Sequence, residues 1–190
     1  ETFNSQSILI DSCSLLGPPV PPASANGVGI VAGNGTAVIS TDVTGYAHGI
    51  RHQNIGLTVH GGRFEVNDAA IVVGLDENGN GFQSSGFDIA GLSMEANQTG
   101  IYIAVGAGGS IRGISIGGGV PMTYGLRLRS CQDVVVQGVV VSGAQGYSGA
   151  GVAIESPTRT VLMSVFSATT RAWSLPADQS QLTFLQTNKS

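Results

Sequence analysis

The chain has 190 residues and a formal net charge of −4, and 42% of its residues are hydrophobic while only 11% are charged. This apolar content excludes a disordered chain, and the eight Lys and Arg residues, which form no basic cluster, argue against a nucleic-acid partner. Every apolar run ends well short of the ~20 residues that a membrane helix needs, so no membrane insertion is expected. Because the sequence starts at Glu1 rather than Met, we expect it to be a fragment of a longer protein.

A short phrase, a small residue followed by apolar–x–apolar, recurs along the chain at intervals of roughly 20–30 residues. A second phrase, with glycine at its third position, occurs between these copies at residues 89–94, 111–116 and 136–141. In both phrases the apolar residues alternate with a period of two, which predicts strands rather than helices. The copies of the first phrase begin at Ser7, Gly29, Gly49, Ala70, Gly100, Gly125 and Gly151.

Short strands that recur without intervening helices predict an all-β parallel solenoid of about seven to eight rungs. Residues at equal offsets then become neighbours about 4.8 Å apart on successive turns. Two inward-facing columns follow from this alignment. The first contains Ile8, Ile30, Ile50, Ile71, Ile101, Leu126 and Val152, and the second contains Ile10, Ala32, His52, Val73, Ile103, Leu128 and Ile154.

Charges at matching offsets support the same alignment. It places Arg129 next to Glu155 and Asp133 next to Arg159, and opposite charges on neighbouring strands favour pairing. Exposed pairs of this kind are worth about 0–1 kcal/mol each, so they support the register more than the stability.

The two cysteines are predicted to be free thiols. Cys13 and Cys131 have the same offset from the start of their copies but lie several rungs apart. The predicted separation of ~24 Å is far beyond the ~7 Å limit for a disulfide.

We expect one β-helix domain over residues 1–190, with regular rungs at about 7–166 and a C-terminal cap and tail at 167–190. Segments rich in turn-forming residues at 17–23 and 76–85 interrupt the phrase and are predicted to be loops. Around Trp173 the sequence departs from the phrase, which is typical of a terminal rung that covers the open edge of a solenoid.

The phrases at residues 100–103, 111–116 and 125–141 resemble the repeats of right-handed, single-stranded parallel β-helices of the pectate-lyase-like superfamily, especially bacteriophage tailspike and tail-fibre proteins. This resemblance covers about residues 7–166. It implies an extracellular or virion protein, commonly a homotrimer, that binds or cleaves bacterial surface polysaccharide and contacts other virion proteins. The sequence departs from the family in two ways, since the clustered Asp ligands of calcium-dependent lyases are not found and the chain is much shorter than a full tailspike.

Two glutamates are the candidate catalytic residues. Glu65 and Glu95 lie in copies of one segment and are predicted to face outward about 5 Å apart, near the ~5–5.5 Å separation of retaining glycosidases. Repulsion between them would raise one pKa, as an acid catalyst requires. The alternative, which we favour, is two solvated glutamates beside a hydrogen-bonded ladder of Asn67 and Asn97.

A column of outward residues is the candidate substrate-binding strip. Arg51, Tyr102 and Arg127 share this column, and Arg129 and Glu155 lie alongside. Tyrosine offers an apolar ring to a sugar, and arginine offers forked donors to carboxylate or hydroxyl groups, so the strip suits an acidic glycan. The alternative is an ordinary exposed sheet face.

A calcium site is the remaining candidate. Asp76, Asn78 and Asn80 match the first half of a calcium-binding loop, but Phe87 stands where the loop needs its bidentate acid. We therefore favour a plain turn, and we expect no cofactor, with calcium as the alternative.

Three functions remain open. The leading hypothesis is a phage tailspike-like or tail-fibre-like domain that binds bacterial surface polysaccharide, because charged residues are scarce and no long insertion forms a cleft. The first alternative is a polysaccharide-degrading enzyme, a glycoside hydrolase or lyase that uses Glu65 and Glu95. The second is a structural virion spike or capsid decoration protein.

Overall fold

The computed structural model describes residues 7–18, 27–118, 120–143, 147–168 and 172–185. None of these residues is helical, so this part of the chain contains no helix that could cross a membrane. The strands are β1 (Ile8–Asp11), β2 (Ser14–Leu16), β3 (Val28–Ala32), β4 (Thr36–Ile39), β5 (Asp42–Thr44), β6 (His48–His52), β7 (Asn54–Ile55), β8 (Leu57–His60), β9 (Arg63–Glu65), β10 (Ala69–Val73), β11 (Ser84–Ser85), β12 (Asp88–Ala90), β13 (Ser93–Glu95), β14 (Thr99–Gly117), β15 (Met122–Ser142), β16 (Tyr147–Thr158), β17 (Thr160–Met163), β18 (Phe166–Ala168), β19 (Trp173–Ser174) and β20 (Leu182–Leu185).

The strands pair in parallel with strands of the neighbouring turn, which makes the chain a β-solenoid of about six turns. This confirms the predicted all-β parallel β-helix, while its right-handedness stays a prediction. Each turn has three faces. Face 1 contains β3, β6, β10, β16, β19 and the first parts of β14 and β15; face 2 contains β1, β4, β8, β12, β17, β20 and the middle parts of β14 and β15; face 3 contains β2, β5, β9, β13, β18 and the last parts of β14 and β15.

The predicted inward columns of face 1 are confirmed from β3 onward. Ile71 pairs with Ile50 on one side and with Ile101 on the other, and all three side chains are fully buried. His52 continues the second column as a buried side chain whose Nδ1 lies 3.1 Å from the Ala32 carbonyl oxygen. Stacked aliphatic side chains thus remove apolar surface from water at every turn, worth roughly 25 cal/mol per Å².

The predicted position of the first strand is wrong. Ile8 pairs with Thr36 and Ile10 pairs with Val38, so β1 belongs to face 2 and not to the column of Ile30. The cause is that face 2 uses the same phrase: residues 56–59, Gly-Leu-Thr-Val, also follow the pattern small–apolar–x–apolar. Face 2 therefore has its own inward column, which contains Ile10, Val38, Val59, Ile89, Ile111, Val136, Leu162 and Phe184.

The recurring glycine of the second phrase lies at the corner between faces 2 and 3. Gly91 and Gly113 have φ values of +66° and +61° there, in the left-handed region that costs glycine little. Stacking this corner turn after turn requires a residue that tolerates this conformation at each level, which accounts for part of the high glycine content.

An aromatic pair lies at the C-terminal end of the described core. Trp173 pairs with Val152 on face 1 and Phe184 with Leu162 on face 2, and their rings meet edge to face with centroids 6.2 Å apart. Two large rings thus pack together at the level of the last described turn, while the predicted C-terminal cap stays a prediction. The predicted tail at residues 186–190 and most of the predicted loop at 17–23 lie outside the described residues, and the domain boundaries stay predictions.

Both cysteines are free and lie several turns apart, as predicted, but they do not share the predicted offset. Cys13 follows β1 at the corner between faces 2 and 3, whereas Cys131 pairs with Gly106 at the corner between faces 1 and 2. Cys13 is exposed, while Cys131 is buried, and burial raises the pKa of its thiol to about 12. The Cys131 thiol is therefore neutral and unreactive at ordinary pH.

Candidate functional site

The outward column of face 1 has the predicted members. Arg51 pairs with Val72, Val72 with Tyr102, and Tyr102 with Arg127. Val72, between Arg51 and Tyr102, is only 1% exposed. Three steps of about 4.8 Å separate the two arginines, so cationic groups lie roughly 14 Å apart along the solenoid axis.

Two tyrosine rings and one glutamate contact the Arg127 guanidinium. Its guanidinium carbon lies 4.8 Å from the centre of the Tyr102 ring and 4.9 Å from the centre of the Tyr124 ring. Nε donates a hydrogen bond of 2.7 Å to Glu155 Oε1. We call these four residues the Arg127 clamp. Sequence analysis missed Tyr124, because it lies three residues before Arg127 and just outside the recurring phrase that begins at Gly125.

The electrostatics of the clamp favour a permanent positive charge. Burial lowers the pKa of Arg127, but the hydrogen bond and charge of Glu155 outweigh it, and the pKa lies above its ordinary value. Arg129 is the second cation, with Nε 3.9 Å from Glu155 Oε2, as its predicted register requires. Two arginines against one glutamate leave a net positive charge on a chain whose total charge is −4.

The clamp leaves part of the Arg127 guanidinium available. The hydrogen bond to Glu155 uses Nε, and no described residue accepts a hydrogen bond from either Nη group. Two cation–π contacts and the Glu155 hydrogen bond restrict the orientation of the fork. A fixed fork with open Nη donors is suited to a carboxylate or a pair of hydroxyl groups.

Arg51 lies in a second charged group at the other end of the column. Its Nε is buried and has no acceptor among the described residues. Burial lowers the pKa of His48, and the nearby Arg51 charge lowers it further, while Asp68 opposes both. Burial raises the pKa of Asp68, which the His48 charge opposes. These groups share one environment, in which the Arg51 donor remains unsatisfied.

An open depression of about 200 Å³ follows the clamp on the same side of the solenoid. Ser130 and Ser156 line it, and they come directly after Arg129 and Glu155 in the chain. Gln83 lines its other end. Sequence analysis missed this depression, because its lining combines small residues from three turns with one residue from the predicted loop.

The two candidate catalytic glutamates are brought together. Glu65 pairs directly with Glu95 on face 3, as predicted. Glu65 also lies close to Arg63 on its own strand, with Oε1 3.3 Å from Arg63 Nε. The depression lies on another part of the solenoid, and the catalytic role of the pair stays a prediction.

The asparagine ladder expected beside these glutamates is present. Asn67 Nδ2 donates to Asn97 Oδ1 over 3.0 Å, and both side chains are fully buried. The same Asn97 oxygen accepts the Asn67 backbone N–H, and Asn97 Nδ2 donates to the Phe64 carbonyl oxygen. Each asparagine follows a residue with positive φ, Val66 or Ala96, so the ladder holds a corner that the local sequence disfavours.

The candidate calcium loop is a compact turn. Asp76 Oδ1 accepts hydrogen bonds from the backbone N–H groups of Asn78 and Asn80, and Oδ2 accepts one from Asn80 Nδ2. These bonds lower the pKa of Asp76 and supply its oxygens with partners from the chain itself, as in an Asx turn. No group of three or more His, Cys, Asp or Glu side chains within the described ranges could hold a metal ion. Phe87 is buried in the core, and a calcium site stays a prediction without a complete ligand set.

A further charged cluster on the outside of face 2 joins three turns, and sequence analysis did not identify it. Asp88 lies between His60 Nε2, at 2.8 Å from Oδ2, and Arg112, whose Nη2 donates to the same oxygen over 2.6 Å. Ser110 donates its hydroxyl to Oδ1. The residues that contact Asp88 lie 22 to 28 positions away from it in the chain, so only the stacking of turns brings them together. Because both Ser110 and His60 contact the carboxylate and not each other, the arrangement stabilises the solenoid and does not activate a nucleophile.

We expect Asp88→Asn to lower the free energy of unfolding by about 1–2 kcal/mol at pH 7, since hydrogen bonds to charged groups are lost at a partly exposed site. The Arg112 hydrogen bond is the main cause that holds the pKa of Asp88 well below its usual range. The difference in free energy of unfolding between wild type and Asp88→Asn therefore has its full size above the unfolded-state pKa of about 3.9. It shrinks as the pH falls from there towards the folded-state pKa. Urea unfolding at pH 7 and at several acidic pH values measures this difference.

Asp133→Asn is the matched control, because Asp133 contacts a single exposed cation, Arg159. Its cost is expected to stay within about 0–1 kcal/mol. Equal stabilities of wild type and Asp88→Asn at pH 7 would contradict the role of the cluster.

No protein-family model, no curated protein and no solved structure matches this chain. Fold and site geometry therefore carry the functional argument. They support the general part of the resemblance, a parallel β-helix.

Proposed function

We propose that this chain is a tailspike-like or tail-fibre-like β-helical domain, of the pectate-lyase-like type, that binds an acidic bacterial surface polysaccharide on the outside of face 1. The observation that carries this proposal is the Arg127 clamp. Its guanidinium contacts the rings of both Tyr102 and Tyr124, and neither Nη group donates a hydrogen bond to a described residue.

Preorganisation is the physical reason for this choice. Binding normally costs about 0.5–1.5 kcal/mol for each long side chain that becomes ordered. In the clamp the Arg127 side chain is already ordered before any ligand binds, because two rings and Glu155 hold it. A planar guanidinium also matches a carboxylate better than an ammonium group does.

The shape of the surface suits an extended chain. A parallel β-solenoid gives flat, rigid strands, and Arg51 with its unsatisfied Nε lies on the same column roughly 14 Å from Arg127. The proposal includes an extracellular or virion location, self-association as a homotrimer and contacts with other virion proteins.

Tyr102→Ala is expected to weaken binding of an acidic capsular polysaccharide by about tenfold, because it removes one wall of the clamp and an apolar ring worth about 0.5–1.5 kcal/mol. Arg127→Ala is expected to weaken it further, since the fork itself is lost. Affinities for a panel of acidic and neutral bacterial polysaccharides, measured by biolayer interferometry or calorimetry, test this.

Arg63→Ala is the control, because it also removes an exposed arginine but lies on face 3, away from the clamp. Loss of affinity in the control equal to that in Arg127→Ala would overturn the proposed site. Absence of binding to every polysaccharide would overturn the function and favour a structural virion protein.

Glu65 and Glu95 lie directly opposite each other on neighbouring strands, and this placement supports the enzymatic alternative. A hydrolase or lyase would release reducing ends or unsaturated sugars from the same panel, whereas a binding module leaves the polysaccharides intact. Activity that disappears in Glu95→Gln would assign catalysis to this pair.

A further inference from the structure

The depression beside the clamp has the dimensions of a site for one small unit. Its volume is about 200 Å³, below the roughly 300–1,000 Å³ of pockets that hold drug-sized ligands. It lies on the outside of the solenoid across successive turns, since Val105 pairs with Ser130 and Ser130 pairs with Ser156.

Its shape has two causes. The turn that contains β14 contributes only small residues at Gly106 and Ala107, whereas the next turn carries a larger side chain, Gln132, opposite Ala107. The loop that interrupts the preceding turn closes on itself, because Leu75 bridges Gly81 and the Phe82 N–H donates to Gly74 O. The loop leads directly into Gln83 at the end of the depression, and this is where the irregular segment of the sequence acquires a role.

The depression is lined by both polar and apolar residues, and none of them is charged. Ser130, Gln132, Ser156, Thr158 and Gln83 line it, and none carries a formal charge. No described residue is a hydrogen-bond partner of the hydroxyl groups of the two serines or of Thr158. The Cys131 thiol that also lines it is neutral, because burial raises its pKa to about 12. Free hydroxyls and an amide suit the hydroxyl groups of a neutral sugar and offer no counter-charge to a carboxylate.

The depression and the clamp are adjacent along two strands. Ser130 follows Arg129, and Ser156 follows Glu155, each one residue on, or about 3.3 Å. One ligand can therefore contact both. We infer that the depression is a subsite for a neutral sugar unit next to an acidic unit bound by Arg127 and Arg129, so that the ligand is a heteropolysaccharide in which acidic and neutral sugars are linked. This inference rests on the proposed function and specifies its substrate class.

Oligosaccharides of defined charge pattern test the subsite. The probes are hyaluronan and heparosan octasaccharides, in which a uronic acid alternates with a neutral amino sugar, together with octagalacturonate and maltooctaose. The wild-type chain is expected to bind at least one alternating octasaccharide about tenfold more tightly than octagalacturonate, and maltooctaose most weakly, in calorimetry.

Ser156→Phe fills the depression from an exposed strand position and is expected to abolish the preference while leaving octagalacturonate affinity within about twofold. Thr158→Val removes one hydroxyl at nearly constant shape and is expected to reduce the preference in part. The control is Ser93→Phe, an equally exposed serine on face 3, which is expected to leave all affinities unchanged.

The outcomes separate the two proposals. Tight binding of octagalacturonate equal to that of the alternating probes, unchanged in Ser156→Phe, would overturn the subsite and leave the proposed function intact. Absence of binding to all acidic probes would overturn both.

Discussion

Gly109→Ala is expected to lower the free energy of unfolding by about 3 kcal/mol. A methyl group at this position would overlap three atoms of the Phe87 ring, well inside van der Waals contact. Phe87 is 2% exposed and fills the core above the turn that contains Gly109, so the ring has no open space into which to move. Chemical denaturation monitored by circular dichroism measures the loss.

Gly117→Ala is the matched control on the same strand. Its added methyl would meet only the Met94 carbonyl oxygen, at 3.9 Å, which is an ordinary contact. A double-mutant cycle with Phe87→Leu isolates the clash: the smaller side chain leaves a void by itself, but it is expected to offset much of the cost of Gly109→Ala. Equal stability of the two alanine variants would show that the Phe87 ring does not occupy this space.

The repeated turns could be predicted from sequence because one physical constraint acts at every level. Inward positions such as Ile71 and Ile101 must be apolar, while the outward positions between them are free to be polar. The alternation is therefore visible without knowledge of the fold. The error at Ile8 has the same origin, since two faces of the solenoid obey the same constraint and carry the same phrase. The phrase predicts that a strand exists, but not which face it belongs to.

The outer surface was predictable only where the register alone decides contacts. Arg127 next to Tyr102 follows from equal offsets, and so does Arg129 next to Glu155. Side-chain direction decides the rest: Glu155 makes its close contact with Arg127, on a neighbouring turn two positions back, because both long side chains lean towards each other. Such diagonal contacts lie within reach of long side chains but leave no periodic signal.

The Asp88 cluster and the depression were invisible in the sequence for a related reason. Asp88 and the residues that contact it come from three turns, and the turn that contains Asp88 is lengthened by the loop before it. An insertion shifts every following offset, so equal spacing no longer marks neighbours across it. Coordinates are needed wherever turn lengths differ.

Asn97→Ala is expected to lower the free energy of unfolding by about 3 kcal/mol, because it takes the Asn97 partner from two buried groups at about 1–3 kcal/mol each and removes one further buried hydrogen bond. The two groups are the Asn67 backbone N–H and the Phe64 carbonyl oxygen. The Asn67 side-chain amide loses its bond to Asn97 but keeps the one to the Val43 carbonyl oxygen. The loss is aggravated at this corner, since the ladder also holds Ala96 at a φ of +55°.

The control for this variant is Asn78→Ala, an exposed asparagine whose backbone N–H, which alanine keeps, donates to Asp76. Asn67→Ala completes a cycle with Asn97→Ala. The two asparagines share the amide–amide hydrogen bond, so the double variant should lose less than the sum of the single losses. Additive losses would mean that each asparagine supports its own turn independently. A small loss in Asn97→Ala, no larger than in Asn78→Ala, would mean that strand stacking alone holds this corner in its left-handed conformation.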